Sequence, residues 1–251
     1  MRRYFYEGEI KTGLLLNLQG DLFHHIFDVC RLQQGQHFEL LNNKGLAFLV
    51  KVESVAKKQA QVFVQEERVI PPIKTPHIHL YLSFPKVPTF EMIVEKSVEL
   101  GVVSITPVLS DFSFVRTLSQ FPAAKVPRWQ KIILQATQQS GRGDLMRIEE
   151  PLFLKSSVNA LRAMAKTLNV VAYEGESPLS LKSYLAIEKQ KQNFDRVNLF
   201  VGSEGGFSDE EIVQFKNLDL PPVTLGDQVL RVETACLTLV ASLKYEFDLL
   251  S

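Results

Sequence analysis

From 46 to 55 and from 59 to 64, apolar and polar positions largely alternate, and both runs are rich in Val and Phe. That period of two is the signature of half-buried strands, joined here by a polar Lys57-Lys58 turn. Residues 37–41 read as a further strand, and Asn42-Asn43-Lys44-Gly45 as a turn of residues that tolerate positive φ. Ahead of them, 20–32 has helical spacing, with Asp21 as the N-cap and Gly35 as a stop two residues past the run. Short strands with one helix predict a small β-barrel over residues 1–72. Pro71, Pro72 and Pro76 then fall within six residues, as in a short stiff linker.

Beyond the linker the period changes. Strands are expected at 78–84, 102–108, 168–173, 197–201 and 223–225. Helices are expected at 89–100, 129–140, 179–190 after Pro178, 209–217 capped by Ser208, and 230–247. In the first of these, Phe90, Ile93, Val94 and Val98 share a face. Strands alternating with helices predict an α/β domain over 76–251, with a mostly parallel sheet covered on both faces.

Composition narrows the function classes. The 251 residues are 45% hydrophobic and 22% charged, and 28 basic residues balance 28 acidic ones. A neutral chain does not coat nucleic acid nonspecifically, although a local basic patch remains open to it. No apolar run reaches the ~18 residues of a membrane span. Met1-Arg2-Arg3-Tyr4 has no apolar core behind it, so a signal peptide is not expected and a cytoplasmic location is. Cys30 and Cys236 read as small apolar residues in a reducing compartment. No Cys/His cluster has metal-ligand spacing, so no metal is expected. His77 and His79 lie on one face of a strand and read as structural.

Two segments stand out. Gly202-Ser203-Glu204-Gly205-Gly206 interrupts an apolar run, and Leu225-Gly226 leads into the last helix. The first is not a P-loop, because no Lys-Ser or Lys-Thr closes it, and its glycine spacing is not the dinucleotide fingerprint. Spacing alone leaves open a plain strand-to-helix turn. Two such loops at strand ends of one sheet also suit a ligand pocket.

Gly202 to Ser208, followed by Glu210 and Glu211, resembles the G-P-E-G-G-F-S-x-x-E motif of bacterial 16S rRNA (uracil N3) methyltransferases of the SPOUT superfamily. Leu225 to Ala235 resembles their L-G-x-R-I-L-R-x-E-T-A motif. The likeness spans the chain: Arg3-Tyr4-Phe5, His25 to Leu32, Glu91 to Val102, Trp129 to Ile132 and Gln139 to Arg142 fit further segments in order. It implies a PUA-like RNA-binding β-barrel, then a SPOUT domain with a deep trefoil knot, assembled as a homodimer. S-adenosylmethionine would sit on Gly202, Ser203, Glu204, Gly205 and Gly206 and on Leu225, Gly226, Val229 and Leu230. The acceptor would be N3 of the uridine at position 1498 of 16S rRNA in the small ribosomal subunit. Arg142, Arg231 and Arg3 are the catalytic candidates. Arg3, Arg31, Lys86 and Arg142 are the RNA-binding ones, with Arg31 read as part of a helix. Leu237, Leu239, Val240 and Leu243 read as packing, including a dimer interface. Glu204 is expected to hold a loop more than to act as a base, and no general base is assigned. Ser203, Gln228, Gln138, Thr89 and Asp28 depart from the family pattern. Gln228, Thr89 and Asp28 thin its positive charge, Gln138 replaces a glutamate, and Ser203 replaces a proline and should loosen its loop. A methyltransferase acting on another RNA target and a non-catalytic RNA-binding protein of the same fold are the alternatives.

Overall fold

The computed structural model describes residues 1–42, 44–161, 165–175, 179–191 and 193–250. Asn43 of the expected turn and Pro178 before the expected helix lie outside them. The described residues divide into two units, Met1–Pro72 with Leu134–Leu145, and Ile73–Ile133 with Met146–Ser251.

The first unit holds strands β1 (Arg3–Phe5), β2 (Leu15–Gln19), β3 (His37–Leu41), β4 (Leu46–Val55) and β5 (Gln59–Val69). They form one sheet in the order β1-β3-β4-β5-β2, antiparallel except for β1 on β3. Register shifts at Leu49/Val50 and Val52/Ser54 bend the long β4–β5 ribbon, which curls the sheet. Leu18, Ile26, Phe38, Phe48, Val50 and Val62 fill the concave side. Among the described residues β1 and β2 do not pair, so the expected barrel is a curled half-barrel. Three residues in β1 give too short a ladder to close it. β5 runs five residues past the expected end, because Glu66-Glu67-Arg68-Val69 pairs with β4 without an apolar pattern to mark it.

The single helix expected at 20–32 is a short turn, α1 (Gly20–Phe23), opening into a π-helix over His24–Val29. Phe23, Ile26 and Phe27 still face the core, but Asp21 is not the cap. Gln19 holds that position, without a side-chain bond. Arg31 lies past the helix at φ 54°, a left-handed position that ends it.

The second unit is a wholly parallel seven-stranded sheet. Its elements are β6 (His77–Ser83), α2 (Val87–Glu99), β7 (Ser104–Leu109), α3 (Val126–Ser140, whose last turns belong to the first unit), β8 (Arg147–Ile148), β9 (Leu152–Phe153) and α4 (Leu154–Ala160). They continue as β10 (Thr167–Ala172), α5 (Leu181–Lys191), β11 (Arg196–Val201), α6 (Asp209–Lys216), β12 (Pro222–Val223) and α7 (Val232–Glu246). The order is β12-β10-β11-β6-β7-β8, with β9 also on β7. β6, β7 and β11 are apolar almost throughout because both faces are covered. Tyr81, Val171 and Phe200 face Val158 of α4 and Phe215 of α6. Alternate residues point the other way, where α7 lies on β11 and against α2.

α2 and α3 begin two or three residues before the expected positions, each with a proline, Pro88 and Pro127, in its opening turn. A proline is well placed there, since its missing N–H would have no helical partner. Trp129, Phe84, Phe90 and Phe121 form one aromatic cluster beneath them. Leu239, Val240 and Leu243 of α7, read as partly a dimer surface, are buried within the chain. Cys30 and Cys236 are free thiols, and burial pushes the Cys236 thiol well up. Among the described residues no helix is long and apolar enough to cross a membrane.

Candidate active site

The first glycine loop leaves β11 at the carboxyl edge of the sheet. Gly202 lies so close to the Gly206 backbone that an added Cβ would sit 2.7 Å from its Cα. The Gly206 N–H donates to Ser203 O at 2.9 Å, closing a tight turn. Gly206 has φ +70°, and the Glu174 carboxylate occupies the place a side chain there would take. Both positions therefore require glycine.

Ser203 is buried, and its hydroxyl donates to Phe112 O at 2.6 Å. The expected loosening does not occur, because the hydroxyl pins the turn to the chain after β7. Glu204 Oε1 accepts the Lys86 N–H at 3.1 Å. Lys86 is the N-cap of α2, so the carboxylate meets an orphan N–H at the positive end of a helix. At Gly205 an added Cβ would stand 2.9 Å from Phe112 Cβ.

In the second loop the Thr224 hydroxyl donates to Gly226 O at 2.8 Å and accepts the Gly226 N–H at 3.3 Å. Gly226 has φ +127°. The chain then reaches Arg231, the N-cap of α7.

A cavity of about 490 Å³ opens between the loops at the carboxyl ends of β10, β11 and β12. That lies within the usual range for small-ligand sites and at their usual place in a parallel sheet. Of the nine expected donor-binding residues, eight line it: Gly202, Ser203, Glu204, Gly206, Leu225, Gly226, Val229 and Leu230. Gly205 does not. Arg231 and Lys86 line it too, as do the departures Thr89 and Gln228. Tyr173, Glu174 and Glu233 also line it and were not anticipated. The first two follow β10, and nothing in the sequence places β10 beside β11. Burial, and then the charges of Asp209 and Glu174, push the Tyr173 phenol up.

The other predicted residues lie in the first unit. Arg3 Nε donates to Glu39 Oε2 at 2.7 Å, and its guanidinium lies against Gly141, at φ +76°. Arg68 grips the same carboxylate at 2.6 and 2.8 Å. Glu39 is 7% exposed, and Arg68, with Arg3, holds its carboxyl below the usual range. Arg142 is half-buried, with its side chain covered and forked onto Asp144 at 3.1 and 3.0 Å. Arg31 is exposed. Asp28 accepts from His24 Nδ1 at 2.8 Å.

A glycine-walled cavity at the carboxyl edge of a parallel sheet, in a chain that also carries a curled half-barrel, is the architecture of an RNA methyltransferase. Residues 72–244 match the RNA methyltransferase domain family, and residues 18–65 the RNA methyltransferase PUA domain family. The chain belongs to the ribosomal RNA small subunit methyltransferase E family. It is 27% identical to the Bacillus subtilis member, over 100% of this chain and 98% of that one. It is 31% identical to the Synechocystis member, over 84% of this chain and 67% of that one. A Legionella pneumophila protein solved in complex with the bound cofactor SAM is 31% identical, with 97% of each chain covered and a TM-score of 0.83. The Neisseria gonorrhoeae ribosomal RNA small subunit methyltransferase E, solved bound to S-adenosyl methionine, shares the fold at TM-score 0.82 and 24% identity, with 98% of each chain covered.

Proposed function

We propose that this chain transfers a methyl group from S-adenosylmethionine to N3 of the uridine at position 1498 of 16S rRNA in the small ribosomal subunit. The cavity between the two glycine loops carries this reading. Gly202 and Gly206 pack too closely on each other and on Glu174 to carry side chains, and Gly226 has φ +127°, so these stretches of the wall are backbone, against which a flat ring and a bent tail fit. Leu225, Val229 and Leu230 cover ring faces, and Val229, 76% exposed, has apolar surface to offer. The carboxylates of Glu174, Glu204 and Glu233 outnumber the cations of Lys86 and Arg231 in the lining, which suits a cationic ligand. Gly205, turned toward Phe112, acts by letting the loop lie flat.

When bound, S-adenosylmethionine supplies a methyl group on a positively charged sulfur. The chain's task is then to favour the uracil anion. N3 carries a proton, and each pKa unit above ambient pH costs about 1.4 kcal/mol. Arg231 lines the cavity at the start of α7, where its guanidinium can hydrogen-bond uracil O2 or O4 as charge develops. Such a cation counts most where water is excluded. Arg142, its plane fixed by Asp144, and Arg3, held by Glu39, are the further arginines offered to the RNA substrate. Lys86 and Arg31 meet phosphate.

Residues 1–72 serve as the RNA-binding domain and 76–251 as the catalytic one. The chain leaves central β11, pairs β12 beyond β10 and returns to lay α7 on β11, a path that supports a deep trefoil knot. The working form is a cytoplasmic homodimer.

Calorimetry tests the pocket. Gly206→Val is expected to abolish S-adenosylmethionine binding by displacing Glu174 at the cavity wall and straining φ, and unchanged affinity contradicts the assignment. Primer extension tests the chemistry. Small subunits lacking the modification should gain a stop at the target uridine after incubation with enzyme and donor, since N3 methylation blocks Watson–Crick pairing. Methylation without a stop points to an atom off the pairing edge, such as the ribose 2′-hydroxyl.

A further inference from the structure

The segment after β7 presents two phenyl rings to solvent beside the first glycine loop. Phe112 is 48% exposed and Phe114 60%. Between and after them Ser113 and Val115 are buried, while Arg116 is exposed, so exposure alternates along the chain.

The backbone under these rings is rigid. Ser113 N–H donates to Ser110 O at 3.2 Å, and Ser113 Oγ accepts the Ser110 N–H at 3.0 Å and donates to Val108 O at 3.1 Å. The Asp111 N–H donates to Glu211 Oε1 at 2.9 Å, Phe112 O accepts from Ser203, and the Phe114 N–H donates to Phe84 O at 2.8 Å. Phe112 lies against Gly205, on the side of the loop away from the cavity-lining glycines. The backbone that carries these two uncovered apolar side chains is thus braced, next to the donor cavity.

Resting on the reading that the substrate is rRNA, we propose that Phe112 and Phe114 are a stacking platform for unpaired bases flanking the target uridine, with Arg116 at the phosphate between them. Rings held by a braced backbone lose little freedom on binding. Every base has a π-face, and unpaired RNA is recognised by stacking on aromatic side chains. The arginine beside them matches a polyanion and does not match a purely apolar partner surface. These residues position the substrate and do not touch the methyl donor.

The test uses the full chain and small subunits carrying unmodified 16S rRNA. Phe112→Leu and Phe114→Leu keep the apolar contacts and remove the flat ring. Each is expected to raise KM for subunits about tenfold, with kcat and S-adenosylmethionine affinity unchanged. Phe114→Tyr keeps the wild-type KM. Phe114→Trp, beside the buried Trp129, reports stacking directly, since its fluorescence should fall when subunits are added. Wild-type KM in both leucine variants with no quenching overturns the proposal. So does a change in sedimentation mass with an unchanged KM, which would make the rings a protein–protein contact. Failure of wild-type enzyme to methylate subunits would overturn the reaction instead, while quenching would still report the platform.

Discussion

Ser203 and Glu204 spend their side chains on holding a turn. The Ser203 hydroxyl satisfies Phe112 O in a buried place, so Ser203→Ala leaves that carbonyl unpaired. The expected cost is about 1–3 kcal/mol, read as a lower Tm, with weaker donor binding as the turn relaxes. A proline there, as in the family pattern, would stiffen the turn through its ring; this chain stiffens it through a hydrogen bond. Glu39 carries a pH dependence. Arg68 and Arg3 lower its pKa from the ordinary 4.5, so its stabilisation is present above that value and is lost as pH falls through the lowered folded one. His79 acts in the same direction. Burial, then the charges of Arg196, Arg147 and His77, bring its pKa down from 6.5 to about 3. The fold holds it neutral, against Ser104 Oγ, and loses stability as pH falls from 6.5 toward 3. Scanning calorimetry should show Tm falling through that window. In Glu39→Gln the wild-type advantage at pH 6 should shrink below pH 4.5. An equal gap at pH 6 and pH 3 would contradict the Glu39 assignment.

Helix α6 shows local signals agreeing with the fold. Ser208 accepts the Glu211 N–H, and Glu211 reaches back to the Ser208 N–H at 3.0 Å, a complete capping box. Glu211 also accepts from the chain after β7, tying the cap to the glycine loop's support. Ser208→Ala should cost about 1 kcal/mol and lower Tm. An unchanged Tm would show that the cap is dispensable. The cap was legible because its residues lie three apart in sequence. The π-helix over His24–Val29 was not, because Phe23, Ile26 and Phe27 satisfy an α-helical pattern equally well. β1 and β2 escaped notice because they are short or lack a long alternating run. β8 and β9, two residues each, exist only by pairing with β7.

The alternation of strands and helices after the linker made a parallel sheet readable, but not its order. That order sets β10 between β12 and β11, and so brings Tyr173 and Glu174 to the same cavity as Gly206. The glycine loops announced themselves through composition; their unanticipated neighbours depend on crossovers that leave no local trace. The same order gathers the glycine loops, Arg231 and the exposed rings of Phe112 and Phe114 along one edge of the second unit. One measurement bears most directly on what that edge does. Small subunits with unmodified 16S rRNA are incubated with the protein and S-adenosylmethionine, and the rRNA is digested to nucleosides for mass spectrometry. The account predicts 3-methyluridine, approaching one per subunit and absent with Gly206→Val. A 2′-O-methylated nucleoside in its place, or no methylated uridine at all, would contradict it.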